Sequence, residues 1–438
     1  MFEPQVESMS RDELADLQSR RLRQLVQRAY EKVPFYRRKM ESRGLVPQDI
    51  RSIADIRYLP TLQKSDMREQ YPFGLFSAER EEIARFHASS GTKGKPTLVG
   101  YTAHDLQVFA NLLARSLVTA GATPQDTIHV AYGYGLFTGG LGFHAGVEHL
   151  GATVVPASSG QTVRQVTLMQ DLRPQGICCT PSYAMTLADV MLQHSIQPKS
   201  LGIRYGIFGA EPWSESMRKQ IEDIYGLTAC DVYGLSELMG PGVAIECFEE
   251  QNGLHLAEDH FYAEICHPDT GDPVPEGEYG ELVLTALSKE AMAIIRYRTG
   301  DITRLKSEPC SCGRTHRRME RLLGRRDDML VVRGVNVYPS EIERVILECP
   351  ELSAHYQIRR VYQGHLEQLE VHVEVADSSA ASVELAAAAS FNSDAFSRQV
   401  AEKLYNTLGI KVEVKICPPG TLPRSEGKAV RLVEERHS

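Results

Sequence analysis

The 438-residue sequence lacks the features that direct a chain into a membrane. It has no run of about 18 apolar residues, so we expect no membrane-spanning helix. Residues 1–24 are charged and contain no apolar segment, which argues against a secretory signal. An excess of positive charge is also missing, because the formal net charge is −9. That balance argues against bulk electrostatic binding to nucleic acid, so an anionic ligand would need a local group of lysines or arginines.

The nine cysteines form no regular disulfide pattern. Their number is odd and their spacing is irregular, with Cys178 and Cys179 adjacent in the sequence. This usage is typical of reduced thiols, so we expect a cytoplasmic protein rather than one stabilised by disulfides.

A phosphate loop of the Walker type is also missing. The nearest candidate is SSGTKGKP at residues 89–96, in which Gly91 and Gly94 are too close together for that motif. Lys95 is followed by Pro96, which has no backbone N–H to donate to a phosphate. Taken alone, the stretch is either a phosphate loop of another design or a surface turn.

What the sequence does contain is a series of alternating strand and helix patterns. Strand–helix units repeat between residues 127 and 237, which predicts a parallel sheet with helices on its faces. Ligands bind beyond the carboxyl ends of such strands, where the loops 133–142, 209–212 and 233–237 lie. The sequence after these loops is β-rich, and a smaller α+β unit begins near Asp327.

The predicted fold class is therefore α/β, with two domains. The large N-terminal domain, residues 1–326, has parallel and mixed sheets flanked by helices and a β-rich subdomain. The small C-terminal domain, residues 327–438, is α+β. Within the large domain, residues 11–45 are expected to form an amphipathic helix. The arginines expected on a solvated face are Arg317, Arg318 and Arg326.

The order of several short motifs is more specific than any one of them. The chain contains, in this order, SSGTKGKP, GAEP, DVYGLSE, YRTGD, GRRDDMLVVRGVNVYPSEIE and PRSEGK. In this order the sequence resembles the adenylate-forming superfamily of acyl- and aryl-CoA synthetases, luciferases and peptide-synthetase adenylation domains. Two segments resemble the phenylacetate–CoA ligase branch of this superfamily in particular, namely YGYGLFTGGLGFHAGVEHLGATVVP and YGLSELMGPGVAIEC. The resemblance implies that an acid and ATP form an acyl-adenylate, from which the thiol of coenzyme A displaces AMP.

The resemblance implies an ATP site that uses most of these motifs. The phosphate loop would comprise Ser89, Ser90, Gly91, Thr92, Lys93, Gly94 and Lys95. The nucleotide-binding residues would be Gly209, Ala210, Glu211, Pro212, Asp231, Tyr233, Gly234, Ser236, Asp301 and Arg325. Asp301 would hold both ribose hydroxyls, and Glu237 would bind a Mg²⁺ ion that bridges ATP phosphates. Lys428 would be the catalytic residue that bridges the carboxylate and the α-phosphate.

The acid pocket is expected between the segments YGYGLF and GPG. Its predicted lining is Tyr132, Tyr134, Phe137, Phe143, Ala210, Tyr233 and Met239. About half of these residues could equally pack the core. No lysine or arginine lies in those segments, which favours an aryl or apolar acid over a second carboxylate.

The small domain is implied, by the same resemblance, to be mobile and to rotate between the two half-reactions. Asp327 would be the hinge. Arg333 and Gly334 would border the coenzyme A tunnel, where the missing Cβ of a glycine leaves room for the pantetheine arm.

A second group of residues predicts a structural zinc site. The candidate ligands are Cys247, His255, Cys310 and Cys312. Two of them form a Cys-x-Cys pair in a turn, and the other two flank an Asn-Gly hairpin bend. Three thiolates and one imidazole suit tetrahedral zinc. His260 and His316 compete with His255 as the fourth ligand, and the alternative is a set of reduced thiols without metal.

The leading functional hypothesis is an AMP-forming ligase that joins an aryl acid, phenylacetate before others, to coenzyme A. One alternative is an adenylating enzyme that loads the acid onto a carrier protein. Another is a protein that binds a nucleotide or an aryl acid without turnover. The expected small-molecule partners are the acid, ATP with Mg²⁺, and coenzyme A, with neither nucleic acid nor membrane. The resemblance also implies a homodimer.

Overall fold

The structure is a computed structural model of the chain, and it describes residues 1–89, 97–326, 330–332, 335–363, 366–376, 393–424 and 431–435. The helices within these residues are α1 (Pro4–Glu7), α2 (Arg11–Lys32), α3 (Pro34–Glu41), α4 (Lys64–Glu69), α5 (Ala103–Thr119), α6 (Thr138–Leu150), α7 (Thr162–Leu172), α8 (Pro181–Gln193), α9 (Glu215–Tyr225), α10 (Pro339–Leu347) and α11 (Ser393–Leu408).

The strands before the last sheet are β1 (Ile83–Ser89), β2 (Thr97–Thr102), β3 (Thr127–Val130), β4 (Thr153–Val155), β5 (Gly176–Cys179), β6 (Tyr205–Gly209), β7 (Thr228–Leu235), β8 (Gly240–Glu246), β9 (Leu254–Leu256), β10 (Phe261–Cys266), β11 (Gly280–Ala286), β12 (Tyr297–Thr303), β13 (Leu305–Lys306), β14 (Arg318–Met319) and β15 (Gly324–Arg325). The remaining strands are β16 (Leu330–Val332), β17 (Val335–Val337), β18 (Leu352–Gln363), β19 (Leu366–Val375), β20 (Val412–Cys417) and β21 (Leu432–Glu435).

The first long helix begins where the sequence predicts but ends earlier. The side chain of Ser10 accepts a hydrogen bond from Glu13 N–H at 3.3 Å, and Glu13 Oε2 accepts one from Ser10 N–H at 3.0 Å. This reciprocal cap starts α2. The helix ends at Lys32 and α3 starts at Pro34, so the expectation of one helix over residues 11–45 is wrong. Pro34 lacks the N–H that would continue the ladder, and its ring would clash with the preceding turn.

The largest sheet has nine strands in the order β13-β14-β9-β8-β7-β6-β5-β3-β4. The strands from β7 to β4 pair in parallel. On the other side of β7 the pairing becomes antiparallel, through β8, β9 and β14. The helices α6 to α9 connect the parallel strands, and the core residues of β5 and β6 are buried. The carboxyl ends of the parallel strands therefore share one edge, at which the predicted ligand loops lie.

The described fold also contains two four-stranded sheets and two two-stranded sheets, the latter being β1-β2 and β16-β17. One four-stranded sheet is the antiparallel sheet β10-β11-β12-β15 in the β-rich part of the chain. The other, β20-β19-β18-β21, forms the smaller α+β unit with α10 and α11. The predicted α/β class, with a parallel and mixed sheet, a β-rich region and a C-terminal α+β unit, is confirmed. Among the described helices, none combines the length and the hydropathy needed to cross a membrane.

Close packing of α5 against α6 generates a test of this fold. A Cβ added at Gly146 would lie 2.8 Å from the carbonyl carbon of Leu113 and 3.0 Å from the amide nitrogen of Ala114. Alanine normally stabilises a helix relative to glycine by about 1 kcal/mol. We expect Gly146→Ala to destabilise the protein instead, by about 1–3 kcal/mol, because backbone atoms of α5 must move. Urea unfolding measures the change.

The matched control is Gly139→Ala in the same helix. A Cβ there would meet only Tyr132, at an ordinary contact distance of 3.5 Å. We expect this variant to be as stable as the wild type or more so. Equal effects of the two substitutions would contradict the close approach of the helices.

Candidate functional site

A cleft opens beyond the carboxyl ends of β6 and β7. Most of the predicted nucleotide-binding residues line it, namely Ala210, Glu211, Pro212, Asp231, Tyr233, Gly234, Asp301 and Arg325. The other two lie next to the lining, since Gly209 ends β6 and Ser236 follows β7. The fold thus brings together segments that are far apart in the sequence.

Two glycines let the strands at this edge come close enough to form the cleft. A Cβ at Gly209 would lie 2.7 Å from Cγ1 of Val232 in the neighbouring strand. At Gly234, a Cβ would overlap the carbonyl oxygen of Gly240. Ala210 follows the first glycine with a φ of +68°, in the left-handed region that residues with a side chain seldom occupy. Such backbone strain is common at functional sites.

Asp301 lies at the centre of a buried hydrogen-bonded group in the cleft. Tyr233 donates its hydroxyl to Oδ2 of Asp301 at 2.6 Å, and Arg325 Nε lies 3.0 Å from Oδ1. Strand pairing sets this geometry, because Asp301 in β12 is directly opposite Arg325 in β15. Burial and the Asp301 charge raise the pKa of Tyr233, so its phenol stays protonated and donates. A carboxylate held in this way can accept hydrogen bonds from a vicinal diol.

The turn after β7 carries Ser236 and Glu237, and two buried side chains hold its backbone. Tyr101 donates its hydroxyl to the carbonyl of Ser236 at 3.1 Å. Lys289 Nζ donates to the carbonyl of Leu238 at 2.7 Å and lies 3.8 Å from the centroid of the Tyr101 ring. Sequence reasoning missed both residues, because a lysine in a β-rich segment is normally assigned to the surface.

The amine of Lys289 is fully buried, which is unusual for a lysine. Burial lowers its pKa to about 7, although the charges of Asp105 and Glu237 act in the opposite direction. The side chain is therefore close to its titration point near neutral pH. It supports the turn from behind and contacts it through a backbone carbonyl.

Part of the predicted acid-pocket lining packs into the core. Tyr132 and Phe143 stack with ring centroids 5.4 Å apart and an interplanar angle of 8°. Both rings are buried, as is Met239. Together they form an aromatic and apolar wall behind the loop that follows β3. Such a wall suits an apolar acid, and it is also a normal component of a core.

The other predicted lining residues occupy more varied positions. Tyr134 is half-buried, and its hydroxyl lies 3.3 Å from Nδ1 of His144, a residue that sequence reasoning did not select. Phe137 is 56% exposed at the start of α6. Ala210 and Tyr233 belong to the nucleotide cleft. The predicted acid-pocket lining therefore divides into a buried inner group and a more exposed outer group.

Trp213 and Arg321 also line the cleft and were not predicted. The guanidinium carbon of Arg321 lies 4.5 Å from the centroid of the Trp213 ring, and Arg321 Nε lies 3.3 Å from Asp231 Oδ2. A guanidinium group stacked on an indole ring is partly removed from water and held in place, so this pair forms a fixed part of the cleft wall. The adjacency of Trp213 to the GAEP motif was the one signal in the sequence that could have identified it.

The arginine-rich stretch near the cleft differs from expectation. Arg318 is 3% exposed and bonds Glu250 at 3.1 Å, so its expected position on a solvated face is wrong. It is buried because β14 inserts between β13 and β9 at the end of the large sheet. Arg317 is part-buried against Glu258 at 2.7 Å. Arg326 is exposed, as expected.

The predicted metal ligands lie together at the end of the same sheet. One ligand atom from each of Cys247, His255, Cys310 and Cys312 lies within 4.8 Å of all the others. The Sγ atoms of Cys247 and Cys310 are 3.6 Å apart, and Sγ of Cys312 lies 3.4 Å from Nε2 of His255. A tetrahedral zinc ion separates its sulfur and nitrogen ligands by about 3.4–3.8 Å. The donor set and its spacing therefore fit zinc.

The competing histidines are engaged elsewhere. His260 Nδ1 lies 2.6 Å from the hydroxyl of Ser288, and its Nε2 lies 3.2 Å from Asp259. His316 Nδ1 lies 3.0 Å from the carbonyl of Leu256. Of the three candidates, His255 is thus the one whose ring joins the cysteines.

Several predicted site residues lie outside the described part of the chain. They are Ser90, Gly91, Thr92, Lys93, Gly94, Lys95, Asp327, Arg333, Gly334 and Lys428. Ser89 is the last residue of β1, which pairs with β2 in an antiparallel hairpin. The roles assigned to all of these residues stay predictions.

Two family models match the chain. A family model described as AMP-binding enzyme matches residues 21–287, and one described as AMP-binding enzyme C-terminal domain matches residues 334–436. The chain belongs to the AMP-binding enzyme family. This AMP-binding enzyme is 50% identical to the phenylacetate-coenzyme A ligase of Thermus thermophilus, over 99% of either chain. It is 48% identical to that of Escherichia coli, over 99% of this chain and 97% of the relative. The predicted branch of the superfamily is confirmed.

Solved structures of 2-hydroxyisobutyryl-CoA ligase, 30% identical, cover 99% of the AMP-binding enzyme and 92% of their own chain. The TM-score is 0.91 for the postadenylation state in complex with 2-HIB-AMP. It is 0.73 for the complex with 2-HIB-AMP and CoA in the thioesterification state. The enzyme described here is therefore closer in overall arrangement to the postadenylation state of that relative.

Lys289 generates a prediction for the pH dependence of stability. Its pKa is about 7 in the folded protein, against an ordinary value of 10.5. Between these two values the unfolded chain binds more protons than the folded one, so this residue makes the free energy of unfolding rise with pH. Relative to the Lys289→Met variant, we expect the wild type to become more stable as the pH increases through this interval.

Urea unfolding across the same pH interval measures the difference. Lys289→Arg is the comparison variant, because an arginine stays charged throughout and should not produce the rise. Parallel curves for the wild type and Lys289→Met would show that the amine does not titrate there.

Proposed function

We propose that this AMP-binding enzyme ligates phenylacetate to coenzyme A through phenylacetyl-AMP, with release of AMP and pyrophosphate. The observation that carries the proposal is the similarity to phenylacetate-coenzyme A ligases over nearly the whole chain. Tyr132, Phe143 and Met239 are buried, so the preference for an aryl acid rests on this similarity rather than on an exposed apolar surface.

The first half-reaction joins two anions, so its site must align them and offset their charge. A carboxylate oxygen of phenylacetate attacks the α-phosphorus of ATP, and the bond from that phosphorus to the pyrophosphate oxygen breaks. Asp301, held by Tyr233 and Arg325, would accept hydrogen bonds from the ribose hydroxyls and fix the nucleoside. Lys428 is proposed to offset the charge that develops between carboxylate and α-phosphate, and the loop 89–95 to hold the other phosphates.

Glu237 is the proposed residue for Mg²⁺. Its side chain is buried, and its negative charge interacts with the amine of Lys289. Tyr101 and Lys289 hold the backbone of the turn that carries the Glu237 carboxylate. A carboxylate in a fixed position suits Mg²⁺, a small, hard cation that prefers oxygen ligands. When bound, Mg²⁺ would neutralise phosphate oxygens of ATP.

In the second half-reaction the thiol of coenzyme A attacks the acyl carbon, and AMP leaves. Arg333 and Gly334 are proposed to border the thiol's path, with Asp327 as the hinge of a small domain at residues 327–438. The large domain, residues 1–326, would keep the adenylate in its cleft. Homodimer formation and a cytoplasmic location stay predictions from the resemblance and the cysteine pattern.

The first test is ATP–pyrophosphate exchange with a panel of acids, followed by measurement of AMP release on addition of coenzyme A. The panel holds phenylacetate, ring-hydroxylated phenylacetates, benzoate, indoleacetate and a medium-chain fatty acid. We expect the fastest exchange with phenylacetate, and AMP release that depends on coenzyme A. Exchange without that release would indicate a carrier-protein acceptor. No exchange with any acid would contradict the proposal.

Asp301→Asn tests the proposed ribose contact. The asparagine side chain lacks the negative charge and has one hydrogen-bond acceptor fewer. Each hydrogen bond to a charged group is worth about 1.5–3 kcal/mol. We expect KM for ATP to rise by about tenfold to a hundredfold, with little change in KM for phenylacetate. The matched control is Asp269→Asn, whose exposed carboxylate pairs with Arg326. A rise in both KM values would indicate general damage to the site.

We also propose that Cys247, His255, Cys310 and Cys312 hold a structural zinc ion. Their spacing fits tetrahedral ligands, and the cluster joins the hairpin of β8 and β9 to the turn before β14. None of the four residues lines the nucleotide cleft, so the metal would act on stability rather than on the reaction.

Elemental analysis of untreated protein tests the metal proposal. We expect about one zinc ion per chain, bound by four ligands. Cys312→Ser should lose the metal and lower the unfolding temperature. Cys417→Ser is the control, since this partly exposed thiol at the end of β20 lies outside the cluster. Well under one zinc per chain in the wild type would exclude the site.

A further inference from the structure

A buried carboxylate joins the small α+β unit to the wall of the nucleotide cleft. Glu343 lies in α10 and is 3% exposed. Its Oε1 accepts a hydrogen bond from the backbone N–H of Ser214 at 3.0 Å, and its Oε2 accepts one from the hydroxyl of Tyr356 at 2.6 Å. Ser214 follows Trp213 of the cleft wall and caps α9 through its own hydroxyl, which accepts from Met217 N–H at 3.2 Å.

The positive charge of Arg431 balances this carboxylate. The guanidinium carbon of Arg431 lies 4.2 Å from the centroid of the Tyr356 ring, and Arg431 donates to the carbonyl of Ala354 at 3.0 Å. Its charge interacts with Glu343 and also with Glu211 of the cleft lining. Arg431 therefore connects carboxylates on both sides of the contact. In the sequence it follows the proposed catalytic Lys428 by three residues.

The arrangement favours docking because a buried carboxylate is costly without partners. Burial raises the pKa of Glu343, whereas Arg431, Tyr356 and the Ser214 N–H stabilise its charged form. If the small unit moved away from the cleft wall, Glu343 would lose the hydrogen bond that it accepts from the Ser214 N–H of the large domain. The contact is thus specific to one arrangement of the two units.

Ser340 also contacts the large domain near the cleft, since its hydroxyl donates to the carbonyl of Leu323, next to the lining residue Leu322, at 2.6 Å. Three further contacts between the units lie away from the nucleotide. Leu347 and Ala354 pack into the apolar cluster formed by α8 and α9, and His355 Nε2 lies 3.0 Å from Asp189 Oδ2. These contacts do not touch the cleft lining. Glu343 differs from them because its partner, Ser214, continues directly from the residues that bound the nucleotide. The docked arrangement is also the one that corresponds to the postadenylation state of the solved relative.

We propose that Glu343 is a positioning residue for adenylation, which holds the small unit against the nucleotide loop at residues 209–214 through the Ser214 N–H, with Arg431 balancing its charge. The proposal rests on the proposed function for the adenylation reaction. The contact between Glu343 and Ser214 does not depend on which acid the enzyme uses. Thioester formation uses a different arrangement in the relative and should not need this contact.

The test measures the two half-reactions separately in the Glu343→Gln variant. We expect ATP–pyrophosphate exchange to slow by about tenfold, the effect of one weakened charge-assisted hydrogen bond. Single-turnover thioester formation from preformed phenylacetyl-AMP and coenzyme A should stay within about twofold of wild type, since chemistry after adenylation does not use the contact. Equal losses in the two half-reactions, or no loss in either, would overturn the proposal.

The matched control is Glu348→Gln. Glu348 follows the same helix, is exposed, and pairs only with Arg344 at 2.7 Å among the described residues. We expect it to change neither half-reaction. Tyr356→Phe, which removes the other hydrogen bond to Glu343, should affect exchange in the same direction. This second variant keeps the proposal testable if Glu343→Gln does not fold.

A readout without turnover separates this proposal from the proposed function. Hydrogen–deuterium exchange of the peptide that contains residues 213–217 reports on the Ser214 amide. We expect faster exchange in Glu343→Gln than in the wild type and in Glu348→Gln. If the wild type used none of the acids but showed this difference, the reaction would be wrong and the docking contact right. Unchanged amide exchange would overturn the contact itself.

Discussion

The nucleotide site depends on a reversal of the chain at the end of β7. This strand pairs in parallel with β6 and antiparallel with β8, so the backbone must turn back between Leu235 and Gly240. The turn is so tight that a Cβ at Gly234 would overlap the oxygen of Gly240. Because the backbone at Gly234 contacts the backbone at Gly240, the turn that carries the side chains of Ser236 and Glu237 is held in place. The large sheet thereby creates both the cleft and the turn that faces it.

Charge in the cleft is balanced locally, although the chain as a whole is acidic. Arg325 faces Asp301 and Arg321 faces Asp231, so each of these two arginines of the wall already has a carboxylate partner. The pairs orient the side chains but add little net positive charge. Neutralisation of a triphosphate must therefore come from elsewhere, which agrees with the assignment of the lysine-bearing loop 89–95 to the phosphates. An overall net charge of −9 is compatible with an anionic substrate when cations are supplied in this way.

The sequence predicted those parts of the site that depend on local motifs. GAEP and DVYGLSE end in one cleft because the parallel strands β6 and β7 present their carboxyl ends at the same edge. YRTGD reaches that cleft from β12 of the separate antiparallel sheet. The cysteines and His255 were predictable because a hairpin bend and a Cys-x-Cys turn each bring two ligands close in sequence. Long-range packing was not predictable. Nothing in the order of residues indicates that Lys289 supports the turn after β7, or that Arg318 is buried between strands.

The position of Trp213 gives the enzyme an intrinsic optical reporter. It is the only tryptophan in the chain. The guanidinium groups of Arg321 and Arg218 lie 4.5 Å and 5.3 Å from the centroid of its indole ring, and its neighbour in sequence is the residue that Glu343 contacts. Indole emission responds to charges beside the ring, so the tryptophan fluorescence of the whole protein originates at one wall of the nucleotide cleft. Occupancy of the cleft and movement of the small unit can be followed by that emission without an added label.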